Sequence, residues 1–244
     1  MANNNLEIYK SQLNGFLELA KDAGDIKENN IECLKDFNFE NLKNKNKYGC
    51  KSIYRVYSSK KDNDSSRLAR IIYYILWGNH KYKTYRLQNL YDAEKEEGCS
   101  FYAGDDKYGG DTLITNKIFT GNTTIGNFMI LPKGKVPYGK GTTTLNQYKG
   151  INPKVKDNLY VFINIIKKLY KHEQIDDNIW NELFDNEDNK DFFIAKSEGE
   201  EGFKKFLKFY MLENWEELKE GNAEKFVKER GKKICEKLKK RLKT

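Results

Sequence analysis

Only two histidines occur in this chain of 244 residues, which confines imidazole acid–base chemistry to two places. His80 closes the run Trp77-Gly78-Asn79-His80 and is followed by Lys81, Lys83 and Arg86. An imidazole that moves protons, beside cations that stabilise a pentavalent phosphate, is the equipment of a metal-free ribonuclease. His80 and Arg86 are therefore catalytic candidates, and a solvated loop histidine is the plain alternative. His172, in Tyr170-Lys171-His172, reads as a helix-end residue. Asp105, Asp106 and Asp111 flank the glycines of 104–111. Clustered carboxylates can hold Mg²⁺ for phosphoryl chemistry, but an acidic glycine turn is also an ordinary turn, so Asp105 enters as a third catalytic candidate and no metal ligand set is assigned. No Walker loop, dinucleotide fingerprint, nucleophile elbow or His-Glu-x-x-His is present, which removes the sharper enzyme classes.

A second group of candidates could bind rather than react. Thr124, Gly126 and Asn127 form one polar glycine knot, and Asn146, Gln147, Lys149 and Gly150 form another. Glycine permits close backbone approach, while the hydroxyls and amides supply neutral donors and acceptors. The competing reading makes Gly126 a bulge and gives Asn146 and Gln147 to a turn. A cleft built from both knots, rimmed by Asp105, suits a small polar ligand such as a nucleotide.

The elements that must position these residues follow from hydrophobic spacing. Leu6, Leu13, Phe16, Leu17 and Ala20 predict a helix ending near Gly24, with a short helical turn at Ile31 to Leu34 and a loop over 38–49. Ser65 or Ser66 can cap a helix too apolar to lie on a surface, carrying Leu68, Ile71, Ile72, Ile75 and Leu76. Strands are expected at 52–57, 82–90, 99–103 and 125–131. Pro153 opens a long helix running to Tyr170, expected to pack on the sheet with Phe162 and Ile166 as core anchors. Shorter helices are expected at 177–184 and 200–212. Strands precede helices without regular alternation, which favours an α+β fold: one globular domain with a mainly antiparallel sheet packed by helices. The expected division is a main domain over 1–222 and a basic C-terminal helix over 223–244.

The chain resembles a bacterial family of unknown function whose members carry Thr-Ile-Gly-Gly-hydrophobic-Pro, then Asn-Gln-Ala-Arg-Gly and a long amphipathic helix. Here these read as Thr124, Ile125, Gly126 and Pro132, then Asn146, Gln147, Lys149 and Gly150. Upstream, Ser66 to Trp77 and Phe101 to Asp105 resemble the family's tryptophan-ended helix and acidic turn. Downstream, Asp191-Phe192-Phe193 and Gly202 to Phe209 resemble its aromatic block. The likeness spans roughly residues 65–215. Asn127 replaces the second glycine and Lys149 the arginine; if that arginine forks onto an anion, lysine keeps the charge and loses the bidentate geometry. The resemblance implies no known reaction.

Charge is concentrated at one end. The totals are 44 Lys+Arg against 36 Asp+Glu, a net charge of +8. Residues 225–243 alone hold ten basic and two acidic side chains, so the rest of the chain is formally neutral. Phe226, Val227, Ile234, Leu238 and Leu242 recur there at helical spacing, which predicts an amphipathic helix with a cationic face including Lys232, Lys233, Lys237, Lys240 and Arg241. Nucleic-acid phosphate is the matching partner, RNA foremost, and a solubilising face is the alternative. Removal of this helix is expected to leave the core folded.

Cys33, Cys50, Cys99 and Cys235 include no Cys-x-x-Cys pair and read as free thiols of a reducing cytosol. No segment approaches the length of a membrane span and no secretion signal is apparent, so a cytoplasmic location and no membrane partner are expected. Nothing identifies a cofactor. Two functions are carried forward: an RNA-engaging protein, in the manner of a defence or toxin effector, and a small-molecule or nucleotide-binding enzyme with a polar pocket at residues 105–150.

Overall fold

The computed structural model describes residues 2–48, 67–77, 100–101, 124–127, 129–130, 136–138, 141–143, 158–173, 180–185, 187–190, 192–220 and 223–243. The chain divides into two compact units, one made of Met1–Ser100, Thr123–Ile130 and Val227–Thr244, the other of Phe101–Asn122 and Leu131–Phe226.

In the first unit, α1 (Ala2–Asp22) buries Leu13, Phe16, Leu17 and Ala20 and packs on the helix Arg67–Trp77. As the apolar run demands, Leu68, Ala69 and all of Ile71 to Trp77 are buried there. Tyr9 meets Tyr74 edge to face with ring centroids 4.2 Å apart, and Phe16 meets Phe37 at 5.1 Å. The stretch expected as a loop over 38–49 is instead largely helical turns: a 3₁₀ turn over Phe39–Lys43, then α2 (Lys45–Tyr48), with Arg67–Trp77 following as α3. Asparagine is the reason. The Asn30, Asn38 and Asn44 side chains each accept a backbone N–H two residues on, from Glu32, Glu40 and Asn46, so residues that look like loop composition start helical turns. Asp25 ties α2 to the end of α1, accepting a hydrogen bond from the Tyr48 hydroxyl at 2.7 Å and pairing with Lys47 at 2.5 Å.

In the second unit, α4 (Asn158–Tyr170) packs against α5 (Gly199–Tyr210) and the 3₁₀ turn Trp215–Glu220. Tyr170 is the centre of this core. Its ring lies 5.6–6.4 Å from those of Phe184, Phe193, Phe203 and Phe206, and its hydroxyl donates to the Ile194 carbonyl at 2.6 Å. Gly202 lets α5 come this close: a Cβ there would stand 2.2 Å from the Ala195 carbonyl oxygen. Ile166 is fully buried, as expected of an anchor; the Phe162 side chain and residues 153–157 lie outside the described residues.

Three helices end alike. After α1, α4 and α5 the next residue or two turn left-handed, at Gly24 (φ 74°), His172 (φ 52°) and Met211 (φ 57°). In each case that residue's N–H bonds three residues back and the following N–H five back, which is the Schellman arrangement.

Among the described residues the expected sheet is not found. Among the described residues strand is limited to β1 (Ser100–Phe101), β2 (Met129–Ile130), β3 (Val136–Tyr138) and β4 (Gly141–Thr143), with β3 and β4 pairing antiparallel, Val136 opposite Thr143. Segments of two or three residues cannot carry a core, so the α+β reading with a mainly antiparallel sheet is corrected to a predominantly helical fold. Ile125–Asn127 is a 3₁₀ turn rather than the start of a strand. Short apolar runs do not distinguish strand from helix by periodicity, and here Ile125 is buried from within a 3₁₀ turn. The expected strands at 52–57 and 82–90 lie outside the described residues.

Candidate nucleic-acid interface

The last helix, α6 (Ala223–Lys243), forms where the charge pattern placed it. Its buried stripe is Phe226, Val227, Arg230, Gly231, Ile234, Cys235 and Leu238, recurring every three or four residues, while Leu242 is only half-buried. Lys228, Lys232, Glu236, Lys239, Lys240 and Lys243 face solvent, with Lys233, Lys237 and Arg241 on the flanks. Lys225 pairs with Glu217 at 3.1 Å, and Lys239 with Glu32 at 3.5 Å. Lys240, Arg241 and Lys243 occupy the last turn, where the helix dipole favours cations.

One of the ten basic residues is withdrawn from that face. Arg230 is only 2 % exposed, and its Nη1 donates to the Gly126 carbonyl at 2.7 Å. Gly126 in turn lies against the backbone of α6, where an added Cβ would stand 2.0 Å from the Val227 carbonyl oxygen and 2.9 Å from the Gly231 nitrogen. Gly231 presents the reciprocal smooth surface, 3.6–3.7 Å from Lys35 and the Gly126 Cα on the same measure. Gly126 thus brings a 3₁₀ turn onto the helix, and the arginine locks the contact. Beside them Cys235 is fully buried. Burial, assisted by the Glu32 carboxylate, pushes its thiol up to about 12.

The first polar knot is therefore packed on the basic helix. Thr124 and Gly126 are both buried, so the close approach that Gly126 allows is made here by Val227 and Gly231. Asn127 ends the 3₁₀ turn. The second knot with Asn146, Gln147 and Lys149, and the catalytic candidates His80, Arg86 and Asp105, lie outside the described residues. The other histidine, His172, is exposed at the end of α4, its ring 5.3 Å from that of Trp180. Sequence reasoning passed over Arg230 and Gly231. A lone glycine inside a lysine-rich helix was the available signal, since it costs helix stability unless something must approach closely.

Among the described residues no helix is long and apolar enough to cross a membrane. The site defines a class before it defines a relative: a mainly helical protein whose final helix is anchored by a buried arginine and presents lysines outward. A model of a family of unknown function, DUF6994, matches residues 110–231, half of the chain, and the chain belongs to that family. The match takes in Gly126, Arg230, Gly231 and the aromatic core around Tyr170, and stops before Lys232. It reaches further toward the C-terminus than the resemblance over 65–215 implies and does not include the tryptophan-ended helix α3. No curated protein and no solved structure matches the chain.

Proposed function

We propose that the protein engages nucleic acid through the solvent side of α6. The supporting observation is the sorting of side chains on that helix: the apolar residues and Arg230 are buried, while Lys228, Lys232, Lys239, Lys240 and Lys243 are exposed on one side. Lysine is a compact phosphate-binding charge, and several on one rigid rail release several counterions when they meet a phosphate backbone. A pocket enzyme gains nothing from this arrangement, and the close approach of Gly126 is taken up by Val227 rather than left to a ligand.

The test is binding of labelled RNA and DNA across a salt series. The expected result is affinity that falls linearly in log–log form with salt, and a slope reduced by about 1 for each phosphate-contacting lysine reversed, such as Lys232→Glu. Lys232→Glu and wild type should melt at the same temperature, because the altered side chain is exposed. Absence of binding to any nucleic acid at low salt would remove the proposal.

A further inference from the structure

We infer that α6 binds duplex rather than single-stranded nucleic acid, lying across a groove with one lysine group on each phosphate strand; this rests on the nucleic-acid reading above. Two observations carry it. The first is what the exposed side of the helix lacks. From Val227 onward its solvent-facing side chains are Lys228, Lys232, Glu236, Lys239, Lys240 and Lys243, and Phe226, the aromatic residue of this helix, is buried. Single strands are held by aromatic platforms on which bases stack, and base edges are read by amides and arginine forks. Neither is on this face, so what it can recognise is the position of phosphates.

The second observation is spacing. Glu236 stands between Lys232 and Lys240 on the exposed side and splits the cations into two groups, Lys228 with Lys232 and, beyond it, Lys240 and Lys243 with Lys239, which also pairs with Glu32. At about 1.5 Å per residue, Lys232 and Lys240 are separated by roughly 12 Å along the axis. The major groove of B-form DNA is about 12 Å wide. A-form RNA offers a wide, shallow minor groove to the same kind of contact. A carboxylate at the middle of a rail that followed one strand would face a phosphate and repel it. Placed over the groove, it lies between the two rows of phosphate.

The experiment compares full-length protein on labelled duplex DNA, duplex RNA and single-stranded oligonucleotides of mixed sequence, by fluorescence anisotropy over a salt series. At least one duplex should bind about tenfold or more tightly than the single strands, and Lys232→Glu and Lys240→Glu should each weaken it about tenfold at low salt. The DNA and RNA arms identify which duplex fits. Glu236→Lys is the discriminating variant: over a groove the new lysine meets no phosphate and the salt slope barely changes, whereas on a rail along one strand it steepens the slope by about 1. Equal affinity for single strands, or that full steepening, would overturn the groove-spanning inference while leaving nucleic-acid binding intact. No binding by any probe would overturn both. Thermal melts of each variant confirm that the exposed substitutions leave the fold unchanged.

Discussion

Gly126 and Gly231 face each other, yet they respond oppositely to the same substitution. An alanine methyl at 126 would meet the Val227 backbone at 2.0 Å, and a backbone cannot swing aside as a side chain can. Gly126→Ala should therefore cost about 3 kcal/mol. At 231 the methyl would find ordinary contact distances of 3.6–3.7 Å, and replacing a mid-helix glycine gains about 0.8–1 kcal/mol of helix propensity, so Gly231→Ala should stabilise. Denaturant melts of the two variants check the pair, and a loss at both positions would mean that the helix sits closer than described. Cys235 supplies a pH prediction at this scale. Its thiol is raised to about 12 in the fold, so between roughly pH 9 and 12 the unfolded chain releases a proton that the folded one keeps. The thiol's contribution is complete below the unfolded value and is lost as pH rises toward the folded one. Tyr48 shifts the same way, through burial and its hydrogen bond to Asp25, and adds to the loss above pH 10. Stability should fall across that alkaline range, and Cys235→Ser should flatten part of the fall.

Among elements, the helix ends give the cleanest test of backbone conformation apart from packing. Gly24 sits at φ 74° with open space where a Cβ would go. Gly24→Ala should still cost about 1 kcal/mol, since the penalty lies in the left-handed conformation and not in contact. Equal melting temperatures would show that α1 can end some other way. Helices were the legible part of the sequence: α1, α3, α4, α5 and α6 all announced themselves by apolar residues three or four apart. The start of the strand expected at 125–131 was misread because that run alternates as a strand does, while Gly126 is there for the sake of α6, a partner 104 residues away along the chain through Arg230. Local spacing holds no record of such a contact. Met211 was hidden as a helix stop, and His172, though read as a helix-end residue, was hidden as a left-handed cap, because glycine is the residue that signals one. Of the candidate site, the lysine face of α6 was readable from charge alone, whereas the burial of Arg230 required knowing what covers it.

At the scale of the whole molecule, α6 cannot be treated as a removable tail. The expectation that its deletion leaves the core folded is revised, because Val227, Ile234, Cys235 and Leu238 are core residues of the first unit and Gly126 is shaped to receive them. Charge reversal on the exposed side is consequently the sound way to separate binding from folding. That same unit is assembled from three stretches of chain, the last beginning at Val227. During synthesis the ribosome delivers α1, α3 and the Thr124 turn long before the helix that completes their core. The nascent chain must hold an unfinished apolar surface until α6 emerges, a period when chaperones have most to protect and aggregation most to gain. A premature stop anywhere before α6 would leave that waiting state permanent, so truncations that remove Val227 to Leu238 should surface as insoluble protein rather than as a folded, charge-stripped form.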